Sequence, residues 1–264
     1  MTRIALGVEY DGSNYQGFQK QFEVNSIQQC LEEAVGRIAN HKVDIFCAGR
    51  TDAGVNATQQ VIHFDYLGDK PRDVSSWMRG CNVFLPPDIS IKWAKEVPDD
   101  FHARFSAFER TYRYIILNSH SRPAILNGGI SFYPGRRLDE NLMHEAGQYL
   151  LGENDFSSFR ASECQSKTPF RNVHSLSVTR DRDYIIVEIS ANAFLHHMVR
   201  NIVGDLLEVG YHRRPKEWIR ELLEARDRTL GGENAQPYGL YLVGVAYDPK
   251  YGIPSGTTGP LWFR

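Results

Sequence analysis

The feature that most constrains the fold of this sequence is a hairpin signal in its second half. Two alternating, β-branched runs, residues 176–180 and 184–189, are separated by the three polar residues 181–183. A connection this short joins antiparallel strands, because parallel strands need a crossover of about a dozen residues or more. The pattern therefore predicts an antiparallel sheet in this half of the chain.

Strands and amphipathic helices alternate along the rest of the chain. Strands are predicted at residues 3–10, 43–47, 60–66, 89–97, 110–118 and 240–247. Helices are predicted at residues 27–38, 73–84, 139–151 and 195–209, and Pro215 suits the first turn of a fifth. Residues 26–29 form a capping-box pattern at the start of the first helix.

This order lacks the regular βαβ crossovers of a parallel sheet and indicates an α+β protein. We expect two halves, residues 1–105 and 106–264, each with a largely antiparallel sheet and helices on one face. Of the 264 residues, 42% are hydrophobic, so the chain is long enough to bury one large core or two ordinary ones.

Cysteine usage and hydropathy bear on location. The four cysteines are scattered, with no CxxC pair, which argues against a disulfide framework and against a thiolate zinc site. The first residues pass straight into a strand-like pattern, and no stretch approaches the ~20 uninterrupted apolar residues of a membrane helix. We therefore expect a cytoplasmic protein without a membrane partner.

The charge balance excludes a protein that coats nucleic acid through a global positive field. Lysine and arginine number 30 against 32 aspartates and glutamates, which gives a formal net charge of −2. RNA binding would then need a local basic surface.

The segment most suggestive of chemistry is the loop of residues 48–55, between two predicted strands. It holds one base and one acid, Arg50 and Asp52, between Gly49 and Gly54. Such a loop can present a carboxylate without crowding. A plain turn, in which Asp52 caps a backbone amide and Arg50 lies in solvent, fits the spacing equally well.

This loop resembles the signature of the TruA family of tRNA pseudouridine synthases. Further motifs resemble the family in the same order, at residues 101–106 with 110–114, 152–156 and 196–204. The likeness covers nearly the whole chain. It implies the pseudouridine synthase fold, with two ferredoxin-like halves that enclose a central basic cleft.

The resemblance also implies the reaction and the partners. Uridines 38 to 40 of the tRNA anticodon stem-loop would become pseudouridine, and a homodimer would contact one tRNA with both subunits. The N-glycosidic bond breaks, the uracil rotates and C5 joins the ribose without net redox change, so no cofactor is expected. In agreement, the sequence has no P-loop, no GxGxxG after a strand and no metal-ligand spacing.

By resemblance, Asp52 is the nucleophile, which attacks either the ribose C1′ or the uracil C6. Arg200 pairs with that carboxylate and keeps it ionised. Tyr112 provides the surface on which the flipped base stacks, and its hydroxyl could move the C5 proton. Arg50 helps to extrude the nucleotide and holds its phosphate, and Leu240 lends the pocket an apolar wall. From the residues alone, Tyr112 and Leu240 also fit a plain core, and Arg200 fits a helix surface.

Three features remain open. Family members commonly carry His where this chain has Asn56, a departure that bears on the RNA contacts of the loop. The adjacent pair His196–His197 does not predict a metal site, because neighbouring helix residues point about 100° apart. The basic residues Arg160, Lys167, Arg171 and Arg182, interleaved with Phe159 and Phe170, suit either an RNA backbone or a solvated loop.

Two other functions fit parts of this pattern. One is the same isomerase acting on other tRNA uridines. The other is an RNA-binding chaperone that has lost catalysis, against which the presence of Arg50, Asp52, Tyr112 and Arg200 weighs.

Overall fold

The computed structural model describes residues 1–68, 72–126 and 128–260. Within these ranges no helix is both long and apolar enough to cross a membrane. The chain separates into two compact units. Unit 1 combines Met1–Arg110 with the chain from Tyr241 onward, and unit 2 is Thr111–Leu240. Unit 1 thus includes a strand from the last part of the sequence. The predicted division at residue 105 assigns that strand to the second half.

The described ranges contain ten strands and five α-helices, numbered here in chain order. The strands are β1 (Thr2–Tyr10), β2 (Phe46–Cys47), β3 (Asn56–Tyr66), β4 (Ile89–Val97), β5 (Ala107–Leu117), β6 (Ser131–Phe132), β7 (Gly152–Asp155), β8 (Phe170–Asp181), β9 (Tyr184–Ala191) and β10 (Leu240–Tyr247). The helices are α1 (Ile27–Ala39), α2 (Val74–Phe84), α3 (Glu140–Gly147), α4 (Met198–Gly210) and α5 (Trp218–Ala225).

The sheet of unit 1 is centred on β1 and β3, which pair antiparallel, and β4 lies antiparallel on the other edge of β1. Two strands share the remaining edge of β3. The short β2 pairs antiparallel near the middle of β3, and β10 pairs parallel with its first residues. On α2, the side chain of Trp77 packs edge-on against Phe64 and Tyr66, with ring centroids 5.0 and 5.1 Å apart. Asn82 of the same helix donates to the Ile91 carbonyl on β4 at 2.9 Å and accepts from the Ile91 N–H at 2.7 Å, so α2 covers the sheet on its β4 side.

In unit 2, the strands lie in the order β5, β9, β8 and β7, and β6 pairs parallel with β5. The pairs β8–β9 and β7–β8 are antiparallel. The hairpin between β8 and β9 turns at Arg182, whose φ of 54° is left-handed. The predicted antiparallel hairpin is confirmed, and both units are α+β with mostly antiparallel pairs.

Several predicted elements differ at their ends. The strand predicted at 43–47 is reduced to β2, and the helix predicted at 195–209 begins at Met198 because the preceding His197 is left-handed, with φ of 60°. The last turn of the helix predicted at 139–151 is a 3₁₀ turn, Gln148–Leu150. Pro215 lies before α5 rather than in it, and its carbonyl accepts a hydrogen bond from the Trp218 N–H.

Only half of the predicted capping box forms. The Ser26 hydroxyl accepts from the Gln29 N–H at 3.4 Å, as an N-cap should. The Gln29 side chain donates instead to the Glu33 carboxylate, one turn further along α1. Helix α1 is thus capped by one side chain.

Candidate active site

The loop of residues 48–55 runs from β2 to β3, and its first residues are tied to β3. The Ala48 N–H donates to the Val61 carbonyl with an N–O distance of 2.8 Å. The buried Gln60 side chain bonds both sides of Gly49, accepting from its N–H at 3.4 Å and donating to its carbonyl at 2.7 Å. The start of the loop therefore follows the sheet.

The rest of the loop is held by a second segment, which follows β1. The Phe18 N–H donates to the Thr51 carbonyl at 3.0 Å, and the Gly54 N–H donates to the Tyr15 carbonyl at 3.3 Å. The Thr51 hydroxyl lies 2.8 Å from the hydroxyl of Tyr10. The backbone is thereby fixed on both sides of position 52.

Glycine and asparagine make this close approach possible. A Cβ on Gly12 would lie 2.0 Å from the Val55 carbonyl oxygen, so no other residue fits there without a shift of the backbone. The Gly12 N–H donates to the Asn56 side-chain oxygen at 2.8 Å, and Asn56 is only 2% exposed. Asn56 thus braces the loop from a buried position.

Asp52 stands at the first position of a tight turn. The Val55 N–H donates to the Asp52 carbonyl at 3.1 Å, and Gly54 has φ of 76°, which suits the third position of a type II turn. The Asp52 side chain is half-buried, whereas Arg50 is exposed. The loop therefore holds the backbone of Asp52 rigidly and leaves part of its side chain accessible.

In unit 2, Arg200 lies in the first turn of α4 and is joined twice to a loop formed by residues 231–236. Its Nε donates to the Ala235 carbonyl at 2.8 Å, and the Ala235 N–H donates back to the Arg200 carbonyl at 3.1 Å. The backbone of Ala235 is thereby tied to α4, and the Nε bond orients the Arg200 side chain toward this loop.

The same loop is held against α4 by a polar network. The Gly232 N–H donates to Oδ1 of Asp205 at 2.5 Å. Arg228 donates through Nη2 to the Gly232 carbonyl at 2.8 Å and to Oδ1 of Asn201 at 3.0 Å. Asn201 donates in turn to the Phe159 carbonyl at 2.9 Å. Loop 231–236 is therefore anchored at Gly232 by this network and at Ala235 by Arg200.

Sequence reasoning missed this polar network, although Gly204 is the last residue of the motif at 196–204 that resembles the family. A Cβ on Gly204 would lie 1.9 Å from the Glu233 carbonyl oxygen, so the glycine lets the loop touch the helix backbone. Asp205 is fully buried, and its Oδ2 has no hydrogen-bond partner among the described residues. Burial raises the pKa of Asp205 to about 7, against the lowering effect of the Gly232 N–H and of Arg228.

Two other residues predicted for the site lie in the interior. Tyr112, on β5, is 7% exposed, and the edge of its ring meets Phe194 with centroids 5.0 Å apart. Leu240 is 4% exposed at the start of β10. Tyr114, on the same face of β5 as Tyr112, is a core residue whose hydroxyl donates to the Gln236 carbonyl at 2.7 Å. Unit 1 thus carries Arg50 and Asp52 on one loop, and the other predicted residues belong to unit 2.

The remaining predicted basic and histidine residues also lie in unit 2. Arg160 donates to the carbonyls of Cys164 and Ser166 at 2.7 and 2.8 Å, so its guanidinium group stabilises the loop that follows it. Arg171 likewise donates to the Thr168 carbonyl. The rings of His196 and His197 lie with their centroids 4.0 Å apart. Lys167 and Arg182 are exposed.

Comparison with known proteins gives one consistent result. A family model described as tRNA pseudouridine synthase matches residues 7–106 and 146–248. A relative from Tolumonas auensis named tRNA pseudouridine synthase A is 60% identical over 262 residues, which cover 99% of each chain. Relatives of the same name from Shewanella loihica and Vibrio parahaemolyticus are 58% identical over 260 residues, 98% of this chain and 98% and 97% of theirs.

The Gly204 contact predicts a specific defect. Gly204→Ala should push the Glu233 carbonyl away from α4, lower the free energy of unfolding by about 1–3 kcal/mol and speed hydrogen exchange at the Ala235 N–H. Gly210→Ala, on the same helix, is the matched control, because the atoms nearest to its Cβ would belong to the flexible Met143 and Leu138 side chains and not to loop 231–236. An Ala235 exchange rate equal to that of the wild type would contradict the proposed contact.

The buried carboxyl of Asp205 predicts a pH dependence. Between about pH 4 and pH 7 the folded protein keeps a proton that the unfolded chain has released, so this contribution to stability is complete at low pH and is lost as pH rises through about 7. From about pH 5 to pH 8, the free energy of unfolding of the wild type should fall by about 1–3 kcal/mol relative to Asp205→Asn.

Urea unfolding at the two pH values measures this difference. Asp183→Asn, at an exposed aspartate of the β8–β9 turn, is the control for a surface change. A difference between wild type and Asp205→Asn that stays constant with pH would show that the carboxyl does not titrate in this range.

Proposed function

The chain belongs to the tRNA pseudouridine synthase family, and we propose that it isomerises uridines 38 to 40 in the anticodon stem-loop of tRNA. It is a tRNA pseudouridine synthase, an isomerase. The observation that carries the proposal is the near 60% identity, over 98–99% of the chain, to relatives named tRNA pseudouridine synthase A. The choice of the anticodon positions rests on the resemblance of the motifs.

We propose Asp52 as the nucleophile. In the reaction, the C1′–N1 bond breaks, a C1′–C5 bond forms, the C5 proton leaves and N1 gains a proton. A carboxylate that adds covalently to the nucleoside can hold the two parts together while the uracil rotates. Support comes from the loop itself, whose backbone is fixed on both sides of a partly accessible Asp52.

Arg200 is proposed to pair with the Asp52 carboxylate during the reaction. A guanidinium group stabilises the ionised carboxylate and fixes its direction. The support within unit 2 is the bond from Arg200 Nε to the Ala235 carbonyl, because it uses the inner nitrogen and sets the direction of the two terminal ones. This bond therefore gives the Arg200 side chain an orientation that a mobile surface arginine would lack.

Base flipping is the second part of the proposal. A uridine stacked in an RNA helix is out of reach of a carboxylate, so the nucleotide must be extruded. Arg50, exposed two residues before Asp52, is proposed to hold the phosphate of the extruded nucleotide. Tyr112 is proposed to stack on the uracil, and Leu240 to form an apolar wall.

The finer features of the family are likewise proposals. In unit 1, the antiparallel strands β4, β1, β3 and β2 lie in an order that supports a ferredoxin-like half. We propose a ferredoxin-like arrangement for unit 2 as well, and the basic cleft, the homodimer and the cytoplasmic location that the resemblance implies.

Release of tritium from tRNA labelled at uridine C5 tests the activity, and mapping of the modified positions tests the specificity. Modification confined to other uridines would replace the anticodon proposal by another tRNA target. Binding of tRNA with no tritium release would favour an RNA-binding chaperone.

Asp52→Asn should keep tRNA affinity close to that of the wild type and lower the single-turnover rate by at least about 10³-fold, because the amide has nearly the same shape but is no nucleophile. The measurement is tritium release with enzyme in excess over tRNA. Protein purified from a host that lacks its own enzyme of this class removes the background. A rate near that of the wild type would refute the assignment.

Tyr112 variants separate stacking from proton transfer. Tyr112→Phe keeps the ring, so nucleotide extrusion should persist while any step that uses the hydroxyl slows. Tyr112→Leu should lower the single-turnover rate further, because loss of one base-stacking contact costs about 1–3 kcal/mol. Urea unfolding of both variants controls for the lost contact with Phe194. A Tyr112→Leu variant as fast as the wild type would assign this residue to the core alone.

A further inference from the structure

Unit 1 carries a row of four aromatic rings beside the Asp52 loop. The ring of Phe46 stacks on that of His63 with centroids 5.2 Å apart, and His63 meets His102 at 4.6 Å. His102 in turn meets Phe105 at 4.4 Å. His63 is buried within the row, and the two end rings, Phe46 and Phe105, are 50% and 76% exposed.

This aromatic row is attached to the Asp52 loop. Phe46 and Cys47 form β2, which leads directly into the loop. The buried Arg110 guanidinium group joins the loop to the segment that carries Phe105, because it donates to the Ala48 carbonyl at 3.0 Å and to the Ala107 carbonyl at 2.8 Å. The backbone segments that carry the exposed rings are therefore tied to the Asp52 loop.

Both imidazoles in the row are neutral near pH 7. His63 Nδ1 accepts from the Ala103 N–H at 3.1 Å, and burial lowers the pKa of His63 to about 4. His102 Nδ1 accepts from the N–H groups of Arg104 and Phe105, and burial lowers the pKa of His102 as well. The row therefore presents flat, uncharged rings.

Positive charge lies next to these rings. The Arg104 guanidinium carbon is 5.7 Å from the centroid of the Phe105 ring, and Arg104 is exposed. Arg50 follows Phe46 by four residues, and both arginines act electrostatically on the Cys47 thiol. Exposed rings with adjacent guanidinium groups complement a nucleic acid strand, in which flat bases alternate with phosphates.

We propose that Phe46, His102 and Phe105 form a stacking surface for an unpaired base of the RNA substrate, distinct from the uridine that reacts, and that Arg104 contacts an adjacent phosphate. This proposal rests on the proposed tRNA substrate. The stacked base would be a neighbour of the target along the strand, because the surface adjoins the loop that carries the nucleophile. Stacking holds a base of any identity, so this contact would position the strand without selecting its sequence.

Binding of a tRNA transcript, followed by fluorescence anisotropy over a range of salt concentrations, tests the proposal. Phe105→Ala should weaken binding by about 5- to 150-fold, the loss of one base stack, and leave the salt slope unchanged. Phe105→Trp should restore the affinity. Arg104→Ala should lower the salt slope by about one, because a phosphate contact is lost.

Phe22→Ala is the matched control, since Phe22 is also exposed and lies outside the aromatic row. It should bind tRNA like the wild type. Equal affinities of Phe105→Ala and the wild type would overturn the proposal. A change in oligomeric state on sedimentation, with tRNA affinity retained, would overturn it in favour of an interface with another copy of the chain.

The activity assay separates this inference from the proposed function. If the wild type releases no tritium from tRNA but Phe105→Ala still weakens binding, the stacking surface stands and the proposed function fails. If the wild type isomerises tRNA and Phe105→Ala binds as tightly, only the stacking surface fails.

Discussion

The close approach of two backbone segments in unit 1 is the constraint on which the proposed chemistry depends. Residues 12–18 and 51–55 touch through main-chain hydrogen bonds, and this contact requires the missing side chain of Gly12. A loop held by its backbone can keep a carboxylate in place without using the carboxylate for support. Preorganisation of this kind lowers the entropic cost of reaching a reactive geometry.

In unit 2, a glycine likewise allows two backbone segments to touch. Gly204 removes the Cβ that would separate α4 from loop 231–236, and the loop then binds Arg200 through Ala235. The buried Asp205 also holds this loop, although burial of a carboxyl group is costly. Near neutral pH this carboxyl therefore contributes less to the free energy of unfolding, while it still holds the loop that orients Arg200.

Local sequence patterns predicted the strands β1, β4 and β10 and the β8–β9 hairpin, because period-two alternation and turn chemistry act over a few residues. They did not predict that the helix starts only at Met198, because the left-handed conformation of His197 has no such sequence pattern. Asp205 and Gly204 were missed because their partners lie about 30 residues further along the chain. The site residues came from resemblance, since a lone aspartate between glycines has no distinctive chemistry of its own.

Because β10 belongs to unit 1, the two segments of this unit are synthesised before and after unit 2. Residues 111–240 are contiguous, so the whole of unit 2 is synthesised before Tyr241. Unit 1 is split, and the strand that pairs with Asn56 and Ala57, just after the Asp52 loop, is synthesised only after unit 2. A nascent chain can therefore add this strand to the sheet of unit 1 only after all of unit 2 has been synthesised.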